Sequence, residues 1–145
     1  MAVKPIPDGY HTITPYVIAN EAAKLITFLT KVFDAKEIYR MDGPNGTVGH
    51  AEIRIGDSRI MLADSSDTHK AMPVMLYLYV EDVDSVYKKA LEAGGESIAE
   101  PKDQFYGDCH SAVRDHSGNQ WWIATHIKDA TPEEMKEGEE KAKSK

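Results

Sequence analysis

Two side chains capable of acid–base or metal chemistry, His50 and Glu52, lie in the stretch GHAEIRIGDSRIMLAD, residues 49–64. Its alternation of apolar and polar residues predicts a strand, and residues two apart on a strand project from the same face. An imidazole beside a carboxylate could bind a divalent metal, transfer a proton, or form a polar wall or salt bridge facing water. His126 is a candidate third metal ligand. The residue types alone leave these alternatives open.

The Gly56-Asp57 turn determines the side of the predicted hairpin on which the pair lies. Pairing about this turn sets Arg54 opposite Arg59 and Glu52 opposite Met61, and paired residues share a face. One face then carries His50, Glu52, Arg54, Arg59 and Met61, and the other carries Ala51, Ile53, Ile55, Ile60 and Leu62. The apolar face suits packing beneath a helix. The sequence therefore predicts His50 and Glu52 on the open face of the hairpin.

The elements that must position this pair occur twice, at a constant offset along the chain. TPYVIANEAAKLITFLTKVF from Thr14 and MLYLYVEDVDSVYKKALEAG from Met75 each predict a strand followed by an amphipathic helix. Asn20 is the expected N-cap of the first helix. The Gly56-Asp57 turn maps onto Ser117-Gly118, both two-residue hairpin signals. The apolar stripes of the helices are Ala22, Leu25, Ile26, Leu29 and Val32, and Val83, Val86, Tyr87, Ala90 and Ala93.

Each half therefore predicts strand, helix and three strands, at about residues 10–65 and 73–128, within one domain spanning residues 1–128. Residues 129–145 form a charged C-terminal tail. In it, Thr131 as N-cap and Pro132 at the first helical position predict a short helix.

The composition disfavours several classes of partner. With 17 basic and 24 acidic residues among 145, the formal net charge is −7. An acidic surface without a basic cluster predicts no nucleic acid partner. No stretch is long and apolar enough for a membrane span, and the N-terminal residues show no signal-peptide pattern. The single cysteine fits a reducing compartment, so a cytoplasmic location is expected.

The duplicated βαβββ unit resembles the vicinal-oxygen-chelate superfamily, which includes glyoxalase I, bleomycin-resistance proteins and extradiol dioxygenases. The strings TPYVIANEAAKLITFLTKVF, GHAEIRIGDSRIMLAD, DQFYGDCHSAVRDHSGNQWWIATH and TPEEM are similar to the PhnB-like branch. The resemblance implies an α+β fold in which two tandem modules form a cleft of mixed sheets with the helices outside. It also implies a homodimer, with clefts inside one chain or across the interface.

Metal enzymes of this superfamily take ligands from the first and last strand of each module. The resemblance places those positions at Thr14, Met61, Met75 and Trp122. None of the four is a histidine, aspartate or glutamate, which are the side chains that hold divalent metals. We therefore predict no metal and no other cofactor, although a divalent ion at His50, Glu52 and His126 remains the alternative.

The predicted cleft face carries mainly aromatic and methionine side chains. Its expected ligand-binding residues are Thr14, Tyr16, His50, Glu52, Met61, Met75, Tyr77, Tyr79 and Trp122. Apolar walls with a few polar groups are typical of a small-molecule site, and stacked rings on an acidic background suit a flat or cationic ligand. The alternative is that these rings bury one another in a closed core or a dimer interface.

The leading functional prediction is therefore a glyoxalase/bleomycin-resistance-like protein that binds a small molecule, such as an antibiotic, without a catalytic metal. The alternative is a metal- or acid/base-dependent lyase, isomerase or dioxygenase of the same superfamily. For that enzyme the catalytic candidates are His50, Glu52, Tyr77 and Tyr79, which offer a set of groups for proton transfer. We expect a two-fold symmetric homodimer, the commonest oligomer class.

Overall fold

A computed structural model of the chain describes residues 2–144. These residues form the predicted order of strand, helix and three strands twice, followed by a third helix. The strands are β1 Tyr16–Ala19, β2 Lys36–Asp42, β3 Val48–Ile55, β4 Ser58–Asp64, β5 Met75–Tyr79, β6 Glu96–Asp103, β7 Asp108–Arg114 and β8 Gln120–His126. The helices are α1 Ala22–Phe33, α2 Val83–Glu92 and α3 Pro132–Lys143. The α+β class with two mixed sheets is thus confirmed.

The chain divides into two compact units. The first comprises the described residues up to Val74 together with Asp115–Asn119. Its sheet has the order β1-β4-β3-β2, with β1 parallel to β4 and the other neighbours antiparallel. The whole predicted stripe of α1 is buried, as are Ala51, Ile53, Ile60 and Leu62 on the facing side of the hairpin. The core of this unit therefore lies between α1 and one face of the sheet.

Helix α1 begins differently from the sequence prediction. Glu21 precedes the helix with a left-handed backbone (φ 51°) and makes no side-chain cap. The first amide of the helix, that of Ala22, instead donates to Oδ1 of Asp64 at 2.9 Å. Asn20 was therefore wrong as the N-cap, because a carboxylate distant in sequence supplies the acceptor. Thr14 also lies outside the strand on which it was expected, since β1 begins at Tyr16.

The second unit comprises Met75–Arg114 and the described residues from Gln120 onward. Its sheet has the order β5-β8-β7-β6, again with the first pair parallel. Trp121, Ile123 and Val113 are fully buried on the face on which α2 packs. Of the predicted α2 stripe, Val83 and Ala90 are buried, and Val86, Tyr87 and Ala93 are half-buried.

The two hairpins differ in length. In the first, Glu52 pairs with Met61, and in the second Ala112 pairs with Trp122. The first and last strands of each module therefore keep the predicted offset, but β7 comes one position earlier than that offset requires. The predicted two-residue turn at Ser117-Gly118 is wrong: Asp115–Asn119 form a longer loop, in which the Asp115 carboxylate accepts hydrogen bonds from the amides of Ser117 and Asn119.

Helix α3 begins as predicted. The Thr131 hydroxyl accepts a hydrogen bond from the amide of Glu134, the Glu134 carboxylate accepts one from the amide of Thr131, and Pro132 is in the first turn. The helix then continues to Lys143, and Gly138 packs against the ring of Phe105. Among residues 2–144, no helix has the length and apolar character needed to cross a lipid bilayer.

Candidate functional site

The open face of the first sheet carries His50 and Glu52, as predicted. The register pairs Tyr16 of β1 with Met61 of β4, and Met61 with Glu52 of β3. The Tyr16 hydroxyl lies 2.9 Å from Nδ1 of His50, and Nε2 of His50 lies 3.3 Å from Oε2 of Glu52. The first sheet therefore brings Tyr16, His50 and Glu52 into one hydrogen-bonded row.

Glu52 has a further hydrogen-bond partner, Tyr10, that was not predicted from the sequence. The Tyr10 hydroxyl donates a hydrogen bond to the Glu52 carboxylate, and the Arg59 guanidinium lies 5.2 Å from the centre of the Tyr10 ring. The hydrogen bond from Tyr10 is the main cause that lowers the pKa of Glu52, and the hydrogen bond from His50 adds to it. Glu52 is therefore a partnered carboxylate with little tendency to take a proton at neutral pH.

The four positions that the resemblance assigns to metal ligands do not fit a divalent ion. The Thr14 hydroxyl donates to a main-chain carbonyl at 3.2 Å, and the Trp122 indole N–H donates to Oε1 of Gln120 at 3.0 Å. Met61 and Met75 offer only thioethers. Zinc and similar ions bind imidazole nitrogens, carboxylate oxygens or thiolates, and none of these groups stands at the four positions.

The structure gives His126 partners other than His50 and Glu52. His126 belongs to the second unit, where Nδ1 lies 2.8 Å from Oδ1 of Asp108 and Nε2 lies 2.7 Å from Oδ1 of Asp129. In the part of the chain from residue 2 to residue 144, no group of three or more His, Cys, Asp or Glu side chains is placed to hold a metal ion.

The open face of the second sheet is organised around a buried carboxylate, Asp108, which is only 3% exposed. Its Oδ2 accepts hydrogen bonds from the hydroxyls of Tyr77 at 2.9 Å and Tyr79 at 3.0 Å, and its Oδ1 lies 2.8 Å from Nδ1 of His126. Three strands supply these groups: β5 the tyrosines, β7 the aspartate and β8 the histidine. A buried charge is tolerated when donors surround it in this way.

These hydrogen bonds fix the protonation of the cluster. Burial by itself would raise the pKa of Asp108, but the hydrogen bonds from His126, Tyr77 and Tyr79 outweigh it, and the net shift is downward. Burial, followed by the hydrogen bond to Asp108, raises the pKa of Tyr77 far above its usual range. The hydrogen bond to Asp108 is also the main cause of the raised pKa of Tyr79. At neutral pH the aspartate is ionised and both phenols keep their protons.

Aromatic rings extend from this cluster across the sheet. Nδ1 of His110 lies 3.0 Å from the hydroxyl oxygens of both Tyr77 and Tyr106. The His110 ring stands edge-on to Trp122, with centroids 5.1 Å apart at 75°. Burial lowers the pKa of His110, so this imidazole is neutral at pH 7. Tyr77 and Tyr79 are 39% and 64% exposed, which leaves area for a ligand.

The Tyr–His contact of the first sheet recurs in the second. Tyr16 and His50 correspond to Tyr77 and His110, and the hydroxyl-to-Nδ1 distances are 2.9 and 3.0 Å. The tyrosines keep the offset between the two modules, and His110 comes one position early because the second hairpin has a longer loop. The two modules thus share this polar contact but differ in the neighbouring carboxylates.

His126 gives the second unit a pH-dependent stability. Hydrogen bonds to Asp129 and then to Asp108 raise the pKa of His126 above the ordinary 6.5. A raised folded pKa means that the stabilisation is complete below the unfolded pKa and is lost as the pH rises through the folded pKa. Asp108, with its lowered pKa, is ionised throughout this range and adds no slope.

We therefore expect the free energy of unfolding to fall as the pH increases above about 6.5, and this step to be absent in His126→Gln. Urea unfolding at a series of pH values measures it, and an NMR titration of the His126 ring assigns it. A folded-state pKa at or below the ordinary value would contradict the prediction.

The first unit also contains an open cavity of about 900 Å³, lined by Tyr16, Ile18, Ala63 and loop residues that include Asn45 and His69. The carboxylate of Asp64 on its wall is occupied by the main-chain amides of Ala22 and Val48. Tyr16, 45% exposed, is the one tyrosine on its wall, whereas the open face of the second sheet groups Tyr77, Tyr79 and Trp122 around a buried carboxylate, and we take that face as the stronger candidate site.

The sequence did not predict four site residues among the polar groups around Glu52 and around Asp108: Tyr10, Tyr106, Asp108 and His110. The internal repeat could have indicated His110, which lies immediately before the position that the module offset assigns to His50. Strand alternation from His110 then places Asp108 on the same face. No sequence signal indicated the two tyrosines, because both come from irregular segments whose path only the fold determines.

The chain belongs to the Glyoxalase/Bleomycin resistance protein/Dioxygenase superfamily, whose sequence model matches residues 10–123. An uncharacterized protein of Mycobacterium bovis is 32% identical over 134 residues, covering 85% of this chain and 88% of that protein. Among solved structures, TioX from Micromonospora sp. ML1 is similar with a TM-score of 0.68 at 20% identity, covering 81% of this chain and 99% of TioX. The PhnB protein from Bacillus cereus is similar with a TM-score of 0.64 at 21% identity, covering 79% and 99%. These structures share the fold.

Proposed function

We propose that this protein binds a flat small molecule on the open face of the second sheet and holds it without a metal and without chemical conversion. The observation that carries the proposal is the set of exposed rings around a fully hydrogen-bonded carboxylate. Tyr77 and Tyr79 expose 39% and 64% of their surface, and Met75 beside them exposes 59%. Exposed aromatic and thioether side chains grouped on one rigid sheet are typical of a ligand surface.

The rings are held in fixed positions, which favours binding. Tyr77 and Tyr79 are anchored at their hydroxyls by Asp108, and their rings contact edge-on with centroids 5.5 Å apart. Trp122 is anchored at its indole nitrogen by Gln120. A ligand that stacks on anchored rings loses little protein side-chain entropy on binding, so more of the stacking energy contributes to affinity.

Sequestration is favoured over metal chemistry by the residues at the family's ligand positions. Thr14, Met61, Met75 and Trp122 offer a hydroxyl, two thioethers and an indole, which are poor ligands for a divalent ion. Elemental analysis of protein purified without chelator or affinity tag is the matching test. A stoichiometric transition metal would contradict this part of the proposal.

Thermal shift against flat aromatic compounds, with glycopeptide antibiotics included, tests the binding proposal. We expect a melting temperature that rises with ligand concentration, because a ligand that binds only the folded state stabilises it. Tyr79→Leu should abolish the shift, and the matched Tyr87→Leu on α2 should retain it. No shift with any compound, together with turnover of a metabolite, would overturn the proposal.

An acid–base lyase or isomerase is the second candidate function. The contiguous hydrogen bonds from Asp108 through Tyr77 to His110 favour it, because a neutral imidazole can accept a proton from a substrate. The catalytic candidates Tyr77 and Tyr79 then belong to this cluster, whereas His50 and Glu52 lie in the first unit. Exchange of substrate protons with D₂O in the presence of the protein would support this candidate.

The proposal also covers the family branch, the cellular location and the oligomeric state of the protein. The similarity to the PhnB protein supports the PhnB-like branch, and the single cysteine supports a cytoplasmic location. We further propose a two-fold symmetric homodimer whose interface involves sheet edges or cleft-flanking residues such as Tyr16 and Met61, which lie outside the proposed ligand surface. Sedimentation at micromolar concentration should give a dimer, and a 16.1 kDa species alone would contradict it.

A further inference from the structure

We infer that the open face of the second sheet selects a ligand that presents hydrogen-bond donors, in the form of an ammonium or amidinium group attached to a flat ring, and discriminates against carboxylates. The inference rests on the proposed function and specifies the chemical class of its ligand. It follows from counting the protons in the hydrogen-bond network around Asp108.

The first step concerns the two tyrosines on β5. A phenol hydroxyl has one proton, and an ionised carboxylate can only accept. The hydroxyls of Tyr77 and Tyr79 lie 2.9 and 3.0 Å from Oδ2 of Asp108, so both protons point at the carboxylate. Neither phenol then has a proton to give to anything that approaches from the open side.

The second step concerns His110. Its Nδ1 lies 3.0 Å from the Tyr77 oxygen, whose own proton is directed at Asp108. Two electron pairs at this distance would repel, so we assign the proton to Nδ1, which then donates to Tyr77. In a neutral imidazole the other nitrogen is then an acceptor. Nε2 of His110 has no hydrogen-bond partner within residues 2–144 and is available to accept from a ligand.

Two further groups adjoin this face. The Tyr106 oxygen also lies 3.0 Å from Nδ1 of His110, and Tyr106 is hydrogen-bonded to Tyr77 as well. Lys102 is exposed and pairs with His110 across β6 and β7. The Tyr77 oxygen already accepts from His110, so the acceptors left for a ligand are the Tyr79 oxygen and Nε2 of His110, while the exposed Lys102 ammonium lies at the margin of the face.

This polarity is opposite to that of a metal centre. A Lewis-acidic ion attracts ligand atoms that bring electron pairs. Here the protein brings the electron pairs, and the adjacent rings favour positive charge above their faces. At these phenols a ligand carboxylate would meet no proton donor and would lose its hydration without compensation. The exposed Lys102 ammonium beside His110 stays hydrated and adds little attraction.

Isothermal titration calorimetry with four compounds on one ring tests the inference: 2-naphthylmethylammonium, its N,N,N-trimethyl derivative, 2-naphthylmethanol and 2-naphthoate. We expect the primary ammonium to bind about tenfold or more tightly than the trimethyl derivative, which keeps the charge but lacks N–H donors. The alcohol should be intermediate, and the carboxylate the weakest.

Asp108→Asn keeps the shape of the side chain but reverses the direction of its hydrogen bonds with the two tyrosines. An amide nitrogen in the position of Oδ2 would donate to both phenol oxygens, so their protons would turn toward the ligand. We expect the preference for the ammonium over the carboxylate to fall by about tenfold or more in D108N. Asp57→Asn, an exposed turn residue of the first unit with the same change in charge, should leave the preference unchanged.

The outcomes separate the inference from the proposed function. If the wild type binds none of the four compounds, the inference is overturned, and the thermal-shift series decides the proposed function on its own. If it binds them but the trimethyl derivative or the carboxylate matches the primary ammonium, the inference is overturned and the proposed function stands. Should D108N fail to fold, Tyr79→Phe decides: it removes one acceptor, keeps the ring, and should weaken the ammonium selectively.

Discussion

Replacing Trp121 with alanine is expected to lower the free energy of unfolding by about 3–5 kcal/mol, whereas Trp122→Ala should change stability much less and abolish ligand binding. Trp121 is fully buried in the core of the second unit. Trp122, its neighbour on β8, is half-buried on the open face, with its ring 5.1 Å from that of His110. Successive strand residues point to opposite faces, so the two substitutions act on different properties.

Urea unfolding of both variants, followed by calorimetry with 2-naphthylmethylammonium, measures the contrast. Each tryptophan variant serves as the control for the other, because the residues are adjacent and the substitution is the same. A Trp122→Ala variant that binds the ligand as the wild type does would contradict the placement of the site. A Trp121→Ala variant with unchanged stability would contradict the register of β8.

The sheets could be predicted from the sequence because strand alternation and pairing about a short turn depend only on neighbouring residues. The alternation around the Gly56-Asp57 turn gave the pairs Arg54–Arg59 and Glu52–Met61, and both are observed. The five-residue stripe of α1 is buried in full. Here each side chain's environment follows from a fixed period along the chain, so a short window of residues is sufficient.

The second hairpin was predicted less accurately because a loop is not periodic. Asp115–Asn119 depend on buried side-chain bonds: Nδ2 of Asn119 donates to the Asp115 carboxylate at 3.0 Å, and Oδ1 of Asn119 accepts from the amide of Val74 at 3.0 Å. Nothing in the dipeptide Ser117-Gly118 indicates these partners. The resulting shift of one position concealed the correspondence between His50 and His110.

About half of the candidate site could be predicted from the sequence. Tyr77, Tyr79 and Trp122 follow from alternation, but Asp108 acquires its role only when three strands bring two phenols and an imidazole to one carboxylate. The direction of each hydrogen bond, and therefore the ligand that the face prefers, depends on distances of about 3 Å across strands. Spacing along the chain does not contain that information.

The role of Asp64 in the first unit likewise could not be predicted from spacing along the chain. Its replacement is expected to lower the free energy of unfolding strongly. Oδ1 accepts a hydrogen bond from the first amide of α1 at 2.9 Å, and Oδ2 accepts one from the amide of Val48 at 2.7 Å. One carboxylate at the end of β4 thereby caps a helix and fixes the start of β3. Its negative charge also lies at the positive end of the helix.

Asp64→Ala should lower the free energy of unfolding by about 2–4 kcal/mol, because two main-chain amides lose their acceptors. Asn20→Ala is the matched control. Asn20 is the cap that the sequence predicted, yet its side-chain oxygen accepts only from the Ser65 hydroxyl at 2.7 Å, so its loss should cost about 1 kcal/mol or less. Asp64→Asn, which keeps one acceptor, should be intermediate. Urea unfolding ranks the three variants. If Asn20→Ala proved as destabilising as Asp64→Ala, α1 would begin as its local sequence suggests, and the carboxylate of Asp64 would be incidental to the fold.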